Sequence, residues 1–308
     1  MRTTELVGAR YPLSCMTIEL SSVSETAMNS AANQSIKVMT PDGLCISAQV
    51  WGEDSRYELV FIHGMLQCQL SWSRQIQHLT ARNIKLTTYD FRGHGASDKP
   101  LDPSLYNDPG RFADELNAVI ETVGLKRPIL VGWSFGTRIV ADYVLKYGGA
   151  KLAGINFVAP AISPDPDHFG PSIKKLAEAR DEDFAKSILG TRAFLRACFL
   201  REPARDEFET MLVYNASVPL PVRRWFGRAT SDSEALQSML RSLTLPTLIS
   251  HGLEDTVIRP ELSRWLGTIL PAAQTSFYQN SGHAPFFEEA ERFNSELAAF
   301  VLRANGDA

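Results

Sequence analysis

The chain has no apolar run approaching the roughly 20 residues an α-helix needs to cross a bilayer. Cysteine is scarce. Cys15, Cys45, Cys68 and Cys198 are scattered, with neither the short spacing of a zinc site nor the framework of a disulfide-stapled domain, so a reducing compartment is expected. An excess of one charge is also missing. The 31 Lys and Arg nearly balance the 35 Asp and Glu, leaving −4, and this gives no electrostatic footprint for nucleic acid. Arg2 and Arg10 are not followed by an apolar stretch and a small-residue cleavage site, so no secretory signal is expected and the cytoplasm is the default location. What is present is ordinary globular stock, 44% hydrophobic and 21% charged, too apolar for global disorder. A length of 308 residues corresponds to two average domains or one large α/β unit with a substantial core.

Residues 1–34 form a small, polar outlier, read as a flexible leader in which Met16 or Met28 could equally initiate. From residue 35 the pattern changes. Ser35 to Met39 and Leu44 to Trp51 alternate around Pro41-Asp42-Gly43, which predicts a β-hairpin. Short apolar runs follow at Leu59 to Ile62, Ile84 to Tyr89, Ile129 to Val131, Ile155 to Val158 and Leu245 to Ser250, suited to strands buried on both faces of a parallel sheet. Helices are predicted between them over Trp72 to Ala81, Pro109 to Val123 and Phe135 to Tyr147, with a final one over Pro285 to Arg303. Between Ala161 and Leu243 the alternation stops. Helical segments are predicted there at Ile173 to Ala179, Asp181 to Leu189, Thr191 to Phe199, Glu207 to Asn215, Val222 to Thr230 and Ser233 to Ser242. The organisation is therefore a core of residues 35–160 and 244–308, interrupted by a helical insertion of residues 161–243.

The sharpest signal is Gly132-Trp133-Ser134-Phe135-Gly136, a G-x-S-x-G that follows a strand and opens a helix. That context makes a nucleophile elbow, with the serine on a tight turn and helix N–H groups pointing at it. A serine hydroxyl is a poor nucleophile at neutral pH, so a base and a group that orients the base are required. After such an elbow they follow in the order acid, then histidine. Downstream of Ser134 stand His168, His251 and His283. His168 opens the insertion and reads as a solvated loop residue, and strand termination and packing explain His251. His283, in Asn280-Ser281-Gly282-His283-Ala284-Pro285, sits in a loop before the last helix and is the expected base. The turn His251-Gly252-Leu253-Glu254-Asp255 supplies the acid, with Asp255 preferred and Glu254 kept as the alternative.

An oxyanion hole is expected from Met65 N–H, after His63-Gly64, paired with Phe135 N–H. His63 reads as a buttress of that turn. The segment Asp90-Phe91-Arg92-Gly93-His94-Gly95-Ala96-Ser97-Asp98 lacks the Gly-Lys-Ser/Thr of a phosphate loop and reads as a hydrogen-bonded structural loop.

Taken together and in order, these motifs resemble the α/β-hydrolase superfamily, and most of all its branch of cofactor-free haloperoxidases, arylesterases and carboxylesterases. Tyr147-Gly148 to Ala159-Pro160 adds to the likeness, while Thr137 departs from it where many relatives carry glycine. The resemblance implies an α/β fold with an eight-stranded, mostly parallel sheet and a helical cap. It implies hydrolysis of a carboxylic ester through a Ser134 acyl-enzyme. The cap's aromatic stock, Phe194, Phe199, Tyr214, Trp225 and Phe226, together with Trp133, points to a small or medium apolar or aryl substrate. Alternatives on the same triad are perhydrolysis, thioester or carbon–carbon bond hydrolysis, and acyl transfer. A non-catalytic ligand-binding role is the alternative from another class. No metal cluster, dinucleotide fingerprint or cofactor lysine is evident, so no cofactor or metal is expected. The partner is a small-molecule acyl substrate, with a homodimer left open.

Overall fold

The computed structural model describes residues 34–307 except 53–54, 164 and 228–229. The leader, apart from Gln34, lies outside the described residues. The strands are β1 (Gln34–Met39), β2 (Cys45–Trp51), β3 (Tyr57–Ile62), β4 (Ile84–Asp90), β5 (Ile129–Trp133), β6 (Gly154–Val158), β7 (Thr247–Gly252) and β8 (Ala273–Tyr278). They form one eight-stranded sheet in the order β1-β2-β4-β3-β5-β6-β7-β8. Only β2 runs against the rest. It pairs antiparallel with β1 across the Pro41-Asp42-Gly43 turn and with β4 on its other side.

The core helices are α1 (Ser73–Thr80), α2 (Gly110–Val123) and α3 (Phe135–Tyr147), then, after the insertion, α9 (Pro260–Ile269), α10 (Pro285–Glu288) and α11 (Ala290–Ala304). The continuous apolar strands serve two cores because successive side chains point to opposite faces. Val60 and Ile62 pack with Leu116 of α2, Ile139 of α3 and Leu262 of α9. Leu59 and Phe61 pack with Leu79 of α1 and with Phe293 and Leu297 of α11. Each such fully buried side chain contributes about 1.5–3 kcal/mol. α2 stops at Gly124, whose φ of 73° is the left-handed conformation that suits a helix C-terminus.

The insertion between β6 and β7 carries α4 (Ile173–Glu178), α5 (Phe184–Ala197), α6 (Arg205–Ala216), α7 (Leu220–Trp225) and α8 (Ser233–Ser242). Two expected breaks differ. The segments predicted on either side of Gly190 are one helix, α5, and a Cβ at Gly190 would lie 2.5 Å from Ala179 N. The glycine is there so that the end of α4 can approach, not to stop the helix. The single last helix predicted from Pro285 is instead divided at Glu289, with φ −118° and ψ 50°.

The strand order reverses between β3 and β5, since β4 lies outside β3 on one side and β6 outside β5 on the other. In an open parallel sheet the crevice beyond the strand C-termini at such a switch is where ligands bind. Gly64 and Met65 follow β3 there, and Ser134 follows β5.

Candidate active site

Ser134 stands between β5 and α3 with φ 53° and ψ −116°, a strained conformation for a residue with a side chain. Its flanking glycines make the turn possible. A Cβ at Gly132 would lie 2.6 Å from Gly136 O, and one at Gly136 would lie 2.4 Å from Ile62 O. The strand, the helix and β3 can therefore meet only if both positions lack side chains. Ser134 N–H is held by Val158 O at 3.0 Å, and Thr137 Oγ1 donates to Ser134 O at 2.5 Å while accepting Ala161 N–H at 3.0 Å. The departure at Thr137 thus ties the elbow to the start of the insertion.

Asp255 and His283 meet. His283 Nδ1 is 2.6 Å from Asp255 Oδ2, and both side chains are buried. Asp255 Oδ1 accepts the N–H groups of Val257 (2.7 Å) and Ile258 (3.0 Å). Burial alone would push this carboxyl up, but His283 beside it and the hydrogen bonds from His251 and His283 hold it well below the usual carboxylate range. Glu254 is exposed, in contrast to the buried Asp255. The backbone of His283 is clamped on both sides, its N–H by Cys198 O at 2.9 Å and its carbonyl by Trp133 Nε1–H at 2.7 Å. His283 Nε2 is buried and has no hydrogen-bond partner, so the Ser134 Oγ to His283 bond is not formed here. Such bonds are commonly loose in unliganded enzymes and tighten with substrate.

On the other side of Ser134, Gly64 packs so closely that a Cβ there would lie 3.3 Å from Ser134 Cβ. The following residues are braced by the Asp90–Asp98 loop. His94 Nε2 accepts Leu66 N–H at 3.1 Å, and Leu66 has φ 62°. His63 is fully buried, stacks on Phe91 with ring centroids 4.0 Å apart, and Nδ1 lies 2.8 Å from Gly64 O. Burial takes the His63 imidazole down to about 3, so it is neutral and suited to buttressing. Asp90 accepts Gln69 N–H at 2.7 Å and Ala96 N–H at 2.9 Å, and Arg92 pairs with Glu115 and with Asp42. All of that loop's side-chain bonding is internal to the fold, as a structural loop requires.

Ser134, Met65 and Phe135 line a cavity of about 1050 Å³ to which the insertion contributes much of the wall. Of the six residues expected to touch substrate, Phe194 is in its wall. Trp133, Phe199 and Tyr214 surround a separate cleft of about 10 Å³. Phe226 is 1% exposed and sits among Phe91, Phe112 and Phe135, while Trp225 packs its ring on Tyr106 at 5.7 Å. These side chains fasten the insertion to the core. The wall combines aliphatic side chains, among them Ile162, Ile173, Leu176, Val257 and Ile258, with charge at Arg138, Asp142, Lys174, Arg180, Asp232 and Glu234. Asp142 is pushed up to about 6 by burial and accepts the Ser231 hydroxyl. Arg138 and Asp142 lie four and eight residues beyond Ser134, so helical spacing along α3 places them on the face below Ser134. The cap-side residues carried no such signal. His168 is half-buried, with Nδ1 2.7 Å from Ser163 Oγ, and is not the solvated residue expected.

Among the described residues no group of three or more His, Cys, Asp or Glu could hold a metal ion, and no helix is long and apolar enough to cross a membrane. Residues 57–290 match the alpha/beta hydrolase fold family. The hydrolase superfamily protein YisY of Bacillus subtilis is 30% identical over 79% of this chain and 90% of its own length. A bifunctional esterase/perhydrolase of Acinetobacter calcoaceticus is 25% identical over 86% of this chain and 98% of its own. Non-heme chloroperoxidases are among the relatives as well. A crystal structure assigned as an aryl esterase from Burkholderia cenocepacia superposes with a TM-score of 0.82 at 34% identity, over 89% of this chain and 100% of its own. With that sheet order, that elbow and a match over residues 57–290, the chain belongs to the α/β-hydrolase family.

Proposed function

We propose that the protein is a serine hydrolase that cleaves a carboxylic ester through a Ser134 acyl-enzyme. The observation that carries the reading is the buried Asp255–His283 hydrogen bond, which engages His283 Nδ1 and leaves Nε2 of the same ring without a partner. Asp255 can accept only, so His283 Nδ1 holds the proton and Nε2 is the free base. Nε2 takes the Ser134 proton as Oγ attacks the ester carbonyl. The N–H groups of Met65 and Phe135 receive the developing oxyanion, each contributing about 3 kcal/mol to the transition state. His283 then protonates the leaving alcohol and activates the water that releases the acid.

The helices of residues 161–243 act as a cap. They bring Ile173, Leu176 and Phe194 to the cavity that Ser134 lines, which suits an apolar acyl or aryl group, and the 1050 Å³ volume accommodates a medium-sized one. Perhydrolysis, with hydrogen peroxide in place of water at the acyl-enzyme, is the second reading, favoured by the esterase/perhydrolase relative.

Turnover of p-nitrophenyl esters, a thioester, a β-diketone and peroxide-dependent oxidation by the wild type and by Ser134→Ala tests these readings. Ester turnover should fall by at least about 10⁴-fold in the variant. A variant that still hydrolyses esters, or a wild type active only on the diketone, contradicts the proposal.

A further inference from the structure

Asp255 is a shared acceptor. Oδ2 takes His283 Nδ1–H at 2.6 Å and also lies 2.9 Å from His251 Nε2, while Oδ1 takes two backbone N–H groups. A carboxylate offers about four lone-pair sites, and here each has a donor. Three of those donors, His251 and the N–H groups of Val257 and Ile258, come from β7 and the turn after it. The fourth is the proposed base.

His251 is fully buried, and the proposed mechanism makes no use of it. Packing would account for a buried ring, but not for both ring nitrogens being aimed at polar partners. Nε2 faces two acceptors, Asp255 Oδ2 and Ile258 O at 3.2 Å, and so must carry the proton. Nδ1 lies 2.6 Å from Ser263 Oγ on α9, and the Ser263 hydroxyl donates to it. The neutral Nε2–H tautomer satisfies both nitrogens and the hydroxyl together.

We infer that His251 is a positioning residue of the site. By donating to the Asp255 oxygen that holds His283, it fixes the carboxylate's orientation and limits how strongly that carboxylate keeps a proton on His283. The inference rests on the proposed Ser134–His283–Asp255 mechanism. A carboxylate oxygen shared between two N–H donors is a weaker base toward each of them. Without His251, the Asp255 carboxylate acts on His283 alone and gains freedom to rotate. Other titratable groups facing this array among the described residues are Cys198 just beyond α5, and Glu288 and Glu289 at the end of α10. Glu288 accepts Gly282 N–H, Glu289 accepts the Ser281 hydroxyl, and Lys175 acts on Cys198. None of these is altered by a change at 251.

Two substitutions separate positioning from packing. In His251→Asn the amide nitrogen can occupy the place of Nδ1 and meet Ser263 but cannot reach Asp255. In His251→Gln it falls where Nε2 was and can donate to Asp255. With p-nitrophenyl butyrate as probe, the Asn variant should lose about tenfold in kcat with KM little changed. The acid limb of its kcat/KM profile should move up by about half a unit, and the Gln variant should recover most of both effects. Equal losses in the two variants with an unmoved acid limb assign His251 to packing and overturn the inference, as does an Asn variant that behaves like wild type. Nitrogen-15 NMR of the histidine-labelled wild type reads the same point without any variant. A protonated Nε2 and unprotonated Nδ1 at His251 agree with the inference, and the opposite tautomer overturns it. Failure of the esterase reading is distinct: ester turnover would then survive Ser134→Ala, whatever the tautomer of His251.

Discussion

The loops beyond β3, β5 and β7 and the helices of the insertion wall the same cavity, but different kinds of interaction hold them in shape. Each loop takes its shape from its own residues and is then braced by its surroundings, as His283 beyond β8 is by Cys198 O and Trp133 Nε1–H. Gly132 and Gly136 allow Ser134 its φ of 53°, and Asp255 is tied to N–H groups two and three residues on. The insertion is fixed from helix to helix. Its hub is Arg223, 3% exposed, which donates to Val218 O, Thr191 Oγ1, Asn215 O and Ala216 O from one guanidinium. The proposed chemistry therefore rests on a frame whose turns are set by adjacent residues and braced by the core. Selectivity rests on a wall whose shape depends on how several helices pack.

The largest expected effect comes from breaking the local frame. In Gly136→Ala the new methyl would collide with the backbone of Ile62 and His63, at 2.4 and 2.8 Å, so α3 must move off β3 and carry Phe135 N–H with it. Chemical denaturation should show a loss of about 2–4 kcal/mol, and kcat/KM should drop by about 100-fold or more. A variant of normal stability and activity would mean that the elbow is not as tightly specified as the comparison requires. A change in the wall should act on binding instead. Phe194→Ala is expected to raise KM for a medium-chain ester several-fold while kcat stays within about threefold, because one buried ring is removed away from the reacting atoms. Trp225→Ala, outside the cavity, should leave KM unchanged and lower only stability. A fall in kcat from Phe194→Ala without a change in KM would erase the distinction between frame and wall.

The same contrast explains what could be read from the sequence. Gly132 to Gly136, His63-Gly64 and the His251 to Asp255 turn are backbone requirements written in adjacent residues, so their positions were legible without a structure. The hairpin at Pro41-Asp42-Gly43 was legible for the same reason, and so were the doubly buried strands. The wall was not. Aromatic side chains in the insertion look alike in sequence whether they line the cavity, as Phe194 does, or pack into the core, as Phe226 does. Only the packing of α4 to α8 on the sheet sorts them. Gly190 misled because a glycine that admits a neighbouring helix and a glycine that ends its own helix have the same letter. His251 was read as a packing residue because its partner Ser263 lies on α9, 12 residues away, and its geometry toward Asp255 appears only when β7 and α9 are packed together.

Labelling with a fluorophosphonate, followed by mass mapping of the modified peptide, tests the central claim most directly. The account predicts one adduct per folded chain, located on Ser134, with labelling abolished in Ser134→Ala and slowed by at least about 100-fold in His283→Ala. An unlabelled wild type, or an adduct that persists when Ser134 is replaced, would contradict it.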